Sequence, residues 1–264
     1  MNFFNATLSW NNLGGEGPDD GVPETIYYTN IGTYNDEQID LQVSVVDDSE
    51  YNPVNTGNNG LNGAFGAVNL GAGSVHMTNT DTNEATLDFT FINHETGATT
   101  ALSQFGFSFF DFDQTSTLET SSQNNGGYKG RECLTMGSTF DSFIVADGTT
   151  LVDANGQSVT NDPSTTRFCS SVTGTGADNP SDPTQAQLGA TSYSSSIEEF
   201  VSKHAVEFSF TNTAVVRVTF STACCTSGRN FLFAGSTSPL PDCDSPPPPS
   251  LPPASPPPLP PPPS

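Results

Sequence analysis

Residues 206–220 read Val-Glu-Phe-Ser-Phe-Thr-Asn-Thr-Ala-Val-Val-Arg-Val-Thr-Phe, and this stretch decides the fold class. Apolar and polar side chains alternate over 206–210 and again over 216–220, with the polar residues 211–213 between them. Strict alternation is typical of a β-strand that has one face on a core and the other in solvent. The sequence therefore predicts two strands here, paired as a hairpin.

The same alternation recurs along the chain, over 41–45 and 87–91 among other stretches. At the start it places Phe4, Leu8 and Trp10 on one face of a strand. The segments between are rich in Gly, Asn and Pro, which favours turns. A single open sheet cannot bury the 19 phenylalanines of the chain, whereas two sheets packed face to face can. We predict an all-β fold, an antiparallel β-sandwich of jelly-roll-like topology.

One stretch admits a helix. Between Ser194 and Lys203, the apolar residues Ile197, Phe200 and Val201 are spaced as on one face of a helix. A strand is the alternative for the same stretch.

The last part of the chain is different in kind, because it consists almost entirely of proline and serine from Asp244 onward. Proline lacks an amide hydrogen and fixes φ near the polyproline II value. We divide the chain into a β-sandwich domain, 1–240, and a proline-rich stalk, 241–264. The alternative role for the stalk is a docking ligand for SH3-like or WW-like modules.

The charge of the chain excludes one class of partner. Lys and Arg together number 6, against 29 Asp and Glu, so the formal net charge is −23. Nucleic-acid binding rests on basic side chains that neutralise phosphates, so we expect neither nucleic acid nor an anionic membrane as partner. No apolar run approaches the ~20 residues that cross a bilayer, and we expect no membrane insertion. The first residues lack the features of a signal peptide, so none is expected in this chain.

The cysteines indicate an extracellular setting. Their spacing matches no zinc or redox template, so we interpret them as disulfide candidates. Adjacent cysteines on a strand point to opposite faces, so Cys224 and Cys225 are expected to take different partners, with Cys243 for one and Cys133 or Cys169 for the other. The odd count leaves one thiol over. The candidates are Cys133, Cys169, Cys224, Cys225 and Cys243.

Residues 104–113, Gln-Phe-Gly-Phe-Ser-Phe-Phe-Asp-Phe-Asp, contain the most unusual pattern. The alternation slips by one residue at Phe109 and Phe110, which predicts a β-bulge there. Beyond the slip, Asp111 and Asp113 share one face, and with Glu119 they form a candidate calcium site. Loop acids that would complete its ligand set are Asp19, Asp20, Asp47 and Asp48. The alternative is two solvated acids at the end of a strand.

Catalytic motifs are absent from the sequence, so we expect no enzyme. Carboxylates such as Asp88 or Glu207 facing a cleft would be needed for glycoside hydrolysis. Asn5-Ala6-Thr7 is an N-glycosylation sequon, with Asn5 on the polar face. Candidate aromatics for stacking on sugars are Tyr27, Tyr28 and Tyr51.

The proline-rich segment 245–264, which begins Ser-Pro-Pro-Pro-Pro, resembles the Ser-Pro hinge of algal hydroxyproline-rich extracellular-matrix glycoproteins, the pherophorins among them. The resemblance is compositional. It implies hydroxylated, O-glycosylated prolines and a globular part that belongs to a cell wall, matrix or surface appendage. Within the body, residues 28–33 (YTNIGT), 109–113 (FFDFD) and 228–233 (GRNFLF) are similar to uncharacterised secreted β domains of marine microbes.

The function predicted from these observations is a secreted, non-catalytic structural or adhesive module of a cell wall or matrix, with calcium as its candidate stiffening ion. Its expected partners are matrix polysaccharides or other matrix glycoproteins. One alternative is a carbohydrate-binding, lectin-like module, and a second is a glycan-active enzyme. A cytosolic scaffold is the remaining alternative.

Overall fold

The computed structural model describes residues 3–71, 82–114, 130–174, 179–223 and 228–236. Thirteen strands in these residues form two sheets, and every pairing between named strands is antiparallel. The sheets pack face to face, which confirms the predicted antiparallel β-sandwich. The predicted stalk lies outside the described residues.

The larger sheet has seven strands in the order β1, β2, β3, β6, β12, β8 and β10. Their bounds are β1 Thr7–Asn11, β2 Thr25–Tyr34, β3 Glu37–Val45, β6 Thr82–Asn93, β8 Glu132–Met136, β10 Arg167–Cys169 and β12 Val215–Ala223.

The smaller sheet has six strands in the order β4, β5, β13, β7, β11 and β9. Their bounds are β4 Gly60–Asn62, β5 Phe65–Leu70, β7 Leu102–Phe110, β9 Ser142–Val145, β11 Val206–Thr213 and β13 Arg229–Ser236. The helix α1 spans Ser196–Lys203 and is capped by the Ser195 side chain, which accepts a hydrogen bond from the Glu198 N–H. This confirms the helix at the stretch where the sequence also admitted a strand.

The hairpin predicted for residues 206–220 was wrong. Both strands form, but β11 pairs with β7 and β9 in the smaller sheet, whereas β12 pairs with β6 and β8 in the larger one. The chain changes sheets at Ala214. Alternation requires only that each strand has one apolar face on the core, and strands of two facing sheets meet that requirement as well as two neighbours do.

Phenylalanines fill the space between the sheets. Phe105, Phe107 and Phe109 of β7 point inward, and Phe89 of the facing sheet contacts both Phe107 and Phe109 edge-on, with ring centroids 5.3 and 6.2 Å apart. Edge-to-face rings interlock and bury large apolar areas. At Gly66, an added Cβ would lie 2.2 Å from the Phe233 ring, so only glycine admits that ring there.

The β-bulge predicted at Phe109 and Phe110 was also wrong. The register of β7 with β11 and β13 runs through these residues without a shift. Phe110 lies on the outer face of the smaller sheet and is buried all the same, because residues 182–188 cross that face. The alternation slips because both faces of β7 are covered at this point.

Candidate functional site

The acids predicted to bind calcium lie at one end of the sandwich core. Asp111 directly follows β7 and has a left-handed φ of 65°. It is only 7% exposed. Asp113 is 4% exposed. Both acids are buried, so the alternative of two solvated acids at the end of a strand was wrong. Glu119 lies outside the described residues.

Asp113 is held by an arginine whose side chain is 14% exposed. Arg229 Nη1 lies 2.7 Å from Asp113 Oδ1, and Arg229 Nε lies 3.8 Å from Glu132 Oε1. The Asp113 N–H also donates to Glu132 Oε2 at 3.0 Å. Arg229 belongs to the smaller sheet and Glu132 to the larger one, so these charges join the two sheets.

Glu132 points inward like Leu134, two residues further along β8, and Arg229 points inward like Phe231. Burial raises the pKa of the Glu132 carboxyl well above its usual range, and the Asp113 carboxylate raises it further, while the Arg229 guanidinium lowers it. The sequence could not indicate Glu132 as part of this cluster, because its only signal was an acid at the start of an apolar strand.

Neutral polar side chains complete this layer. Gln114 and Ser170 have no exposed surface, and Thr222 is 1% exposed and pairs with Glu132 across the sheet. Together with Asp113, Glu132 and Arg229, they form what we call the polar end layer. No three acidic, histidine or cysteine side chains of the described residues are grouped so that they would hold a metal. Calcium binding therefore stays a prediction.

One disulfide lies beside the polar end layer. Cys133 of β8 and Cys169 of β10 are directly opposite each other and are joined, with their Cα atoms 4.0 Å apart. The expectation that one of them pairs with Cys224 or Cys225 was wrong. Cys169 exchanges both backbone hydrogen bonds with Val152 on its other side, so the pair with Cys133 is a close, non-hydrogen-bonded one that a disulfide can span. Cys224, Cys225 and Cys243 lie outside the described residues.

The outer face of the larger sheet carries an arrangement that alternation did not predict. The register of β1 with β2 shifts between Leu8 and Trp10. The extra residue turns Trp10 away from the core side, where Leu8 packs, and onto the outer face. There Trp10 stacks on Tyr27, with ring centroids 4.4 Å apart and an interplanar angle of 14°. Both rings are half-buried.

A carboxylate network adjoins this aromatic pair. Tyr27 Oη donates to Asp40 Oδ2 at 3.1 Å, and His94 Nδ1 lies 2.7 Å from the same oxygen. The Asn30 N–H and the Gln38 side-chain amide donate hydrogen bonds to the other Asp40 oxygen, at 2.9 and 3.3 Å. Burial raises the pKa of Tyr27 to about 12, and the Asp40 carboxylate contributes to the rise.

Half-exposed polar side chains extend this surface along neighbouring strands. Gln42 pairs with Tyr27, Thr90 pairs with Gln42, and all lie on the outer face of the sheet. We call this surface the open face; its central residues are Trp10, Tyr27, Asp40, Gln42 and His94. It offers a ring stack, hydroxyls, an amide and an imidazole to a ligand. The side chain of His94 is 45% exposed.

The other tyrosines considered for sugar stacking belong to the core. Tyr28 has no exposed surface and donates to the Gly60 carbonyl at 2.9 Å, and Tyr51 is 8% exposed with its hydroxyl bonded to Asn69 O at 2.9 Å. Of that trio only Tyr27 reaches a surface. Because adjacent residues of a strand face opposite sides of the sheet, the tandem Tyr27-Tyr28 indicated that one of these two tyrosines would lie outside the core.

Two further predicted residues are placed clearly. Asp88 lies on the outer face of the larger sheet, where both of its oxygens accept hydrogen bonds from Arg217 at 2.7 Å. Glu207 lies on the outer face of the smaller sheet, so these two carboxylates flank no common cleft. Asn5 is exposed, as glycosylation at its sequon requires, and the modification itself stays a prediction.

No helix among the described residues is long and apolar enough to span a membrane. No protein-family model matches the chain. No curated protein matches it.

Among solved structures, the chain is similar to the N-terminal domain of the Streptococcus gordonii adhesin Sgo0707, with 14% identity and a TM-score of 0.43 over 83% of this chain and 49% of that one. It is also similar to the glucan binding protein C of Streptococcus mutans, with 13% identity and a TM-score of 0.41 over 80% of this chain and 56% of that one. The chain thus spans about half the length of each. This level of similarity assigns no family to the chain.

Proposed function

We propose that this domain is a non-catalytic extracellular adhesive module that binds carbohydrate through its open face. The observation that carries the proposal is the Trp10–Tyr27 stack. Trp10 is the single tryptophan of the chain, and a bulge turns it out of the core and onto a half-exposed surface. Amphipathic rings such as those of Trp and Tyr are common in binding sites because they combine a large apolar face with a polar atom.

The chemistry around the stack suits a sugar. Sugar rings present C–H faces to aromatic rings and hydroxyls to polar groups, and the open face supplies both kinds of partner. Gln42 and Thr90 donate and accept hydrogen bonds, and His94 presents its ring to solvent. The Trp10 indole N–H is already used, since it donates to Thr25 Oγ1 at 2.9 Å and holds the ring in place.

Charge narrows the class of glycan. With a net charge of −23 the domain repels sulfated and uronic-acid polysaccharides, so neutral glycans are the expected ligands. The Cys133–Cys169 disulfide supports an oxidising, extracellular setting, because disulfides persist there and are rare in the cytosol. A cell wall or matrix, the setting expected from the sequence, provides both neutral glycans and an oxidising environment.

The test is an array of neutral and acidic glycans probed with the full chain, followed by affinity electrophoresis in the glycan that binds best. We expect Trp10→Ala to weaken binding by about tenfold or more, because it removes the stacking surface. Ile197→Ala is the matched control, an exposed apolar side chain of α1 outside the open face, and leaves binding unchanged. An array without signal from folded protein, or equal weakening by both variants, contradicts the proposal.

A further inference from the structure

We propose that the opposite side of the sandwich holds a second, independent binding site, which takes an organic cation carried on an apolar body. Two adjoining cavities of about 390 and 230 Å³ lie between the outer face of the smaller sheet and the crossing segment 182–188. Both are lined by Ser108, Phe110 and Glu207 of the sheet and by Pro183 and Ala186 of the segment. We call the two together the sheet groove.

The larger cavity of the sheet groove, at about 390 Å³, resembles small-molecule sites in size and in a lining that is more apolar than polar. Such sites have volumes of about 300–1,000 Å³, apolar walls and a few placed polar groups. Phe110 forms an apolar wall and is fixed by an edge-on contact with Phe65, whose ring centroid lies 5.1 Å away. The polar group is the Glu207 carboxylate, which accepts a hydrogen bond from the buried Ser108 hydroxyl at 2.7 Å.

The roof of the groove is anchored. Asp182 caps the short helix Pro183–Gln185 by accepting a hydrogen bond from the Thr184 N–H at 2.8 Å. The Gln187 N–H donates to Ser202 Oγ of α1 at 2.7 Å. This second bond ties the crossing segment to α1, so the space beneath the segment is bounded by the segment as well as by the sheet.

The charge of the lining selects the ligand. Among the residues that the structure describes, the lining includes two carboxylates, Asp182 and Glu207, and no Lys, Arg or His. A carboxylate beside apolar walls attracts a cation more strongly than it would in bulk water, because fewer solvent dipoles screen it. Phe4 also lines the larger cavity and is 75% exposed, the largest exposure among the large apolar side chains described. An exposed ring face adds cation–π attraction for the same kind of ligand.

Three probes of one shape and different charge test the inference: benzylamine, benzyl alcohol and benzoate, titrated into the full chain and followed by NMR. We expect benzylamine to bind most tightly, by about tenfold over benzyl alcohol, as for a charge-assisted hydrogen bond, and benzoate to bind most weakly. Glu207→Gln should remove the difference between benzylamine and benzyl alcohol. Glu84→Gln, an exposed acid of the larger sheet, is the matched control and leaves that difference intact.

Equal binding of the three probes, absence of binding, or the same loss in Glu207→Gln and Glu84→Gln would overturn the inference. If Glu207→Gln fails to fold, Phe4→Ala carries the test, because its side chain is exposed; it should weaken all three probes, and benzylamine most. An unchanged titration would then overturn the inference. We expect Glu207→Gln, Glu84→Gln and Phe4→Ala to leave glycan binding at the open face unchanged. A failure of this inference can therefore be distinguished from a failure of the proposed function.

Discussion

Asp113 and Asp40 are both almost fully buried, at 4% and 1% exposure, but what covers them differs. Asp113 is covered by Arg229, whose side chain is itself only 14% exposed, and by the rest of the polar end layer. Asp40 is covered by Tyr27 and His94, which reach the surface. The Asp113 carboxylate belongs to the buried layer at the end of the core, whereas the Asp40 carboxylate holds side chains that a ligand can contact.

The contrast teaches where to look for function in an acidic β-sandwich. An acid is informative when the groups that satisfy it remain accessible, since those groups then have a fixed orientation and free surface. In the polar end layer the Asp113 carboxylate is paired with the Arg229 guanidinium within the core. On the open face, Asp40 fixes a phenol and an imidazole, and both stay in contact with solvent. Three variants sharpen or break this contrast.

Arg229→Ala should have the largest effect. It leaves the buried Asp113 carboxylate without its counter-charge, which typically costs about 3–5 kcal/mol of unfolding free energy. Arg217→Ala is the matched control, because Arg217 also pairs with an aspartate but lies at the surface. We expect its urea midpoint to stay close to that of the parent chain. Comparable losses in both variants, measured by urea denaturation, would show that the two regions do not differ.

Glu132→Gln should change the pH dependence of stability. Because the folded-state pKa of Glu132 is raised, the folded chain holds its proton at pH values where the unfolded chain has lost it. This carboxyl therefore lowers the free energy of unfolding as pH rises from the ordinary glutamate range, about 4.3, up to the folded-state pKa. The glutamine variant lacks that decline.

The measurement is urea denaturation of both chains at several pH values, and the informative quantity is the difference between them. Self-repulsion of the other acids affects both chains alike and cancels in that difference. We expect the variant to gain stability relative to the parent by up to about 1.4 kcal/mol for each pH unit across this range. A difference that is constant with pH would mean that Glu132 ionises as readily in the folded chain as in the unfolded one.

His94→Ala should have the smallest effect on stability. Its side chain is nearly half exposed, and Asp40 keeps hydrogen bonds from Tyr27, Asn30 and Gln38 without it. We expect a loss below about 1 kcal/mol in the same denaturation experiment. A loss as large as that of Arg229→Ala would place Asp40 with Asp113 as a carboxylate that depends on its counter-charge.

Much of the fold followed from alternation. Most inward residues of β3, β6, β11 and β12 were identified from the sequence, whereas the stretch that forms α1 was left open between a helix and a strand. Which strands pair was not, because alternation gives the face of a strand but not its neighbour. The strands β11 and β12 show this, because they are consecutive in the chain but lie in the two facing sheets. They face each other's sheet across the core and do not pair with each other.

The candidate site was harder to predict for two physical reasons. Trp10 reaches the open face through a bulge, and an extra residue in a strand leaves no mark on the pattern until its partner strand is known. The acids at 111 and 113 gave a clear local signal, but Arg229, the partner of Asp113, is more than a hundred residues away. A pair of acids in sequence cannot reveal whether a distant arginine or a metal will balance them.

The position of β13 has a mechanical consequence. This strand lies between β5 and β7 and is hydrogen-bonded to both, whereas β1 has β2 as its one strand partner in the described sheet. Ladder hydrogen bonds run perpendicular to the strands, so tension along β13 loads two rows of them at once. A pull transmitted through Ser236 must shear both rows together, while a pull from the N-terminal side meets a single row. Detaching β13 by force at Ser236 therefore requires two rows of hydrogen bonds to break, twice as many as hold β1 among the described strands.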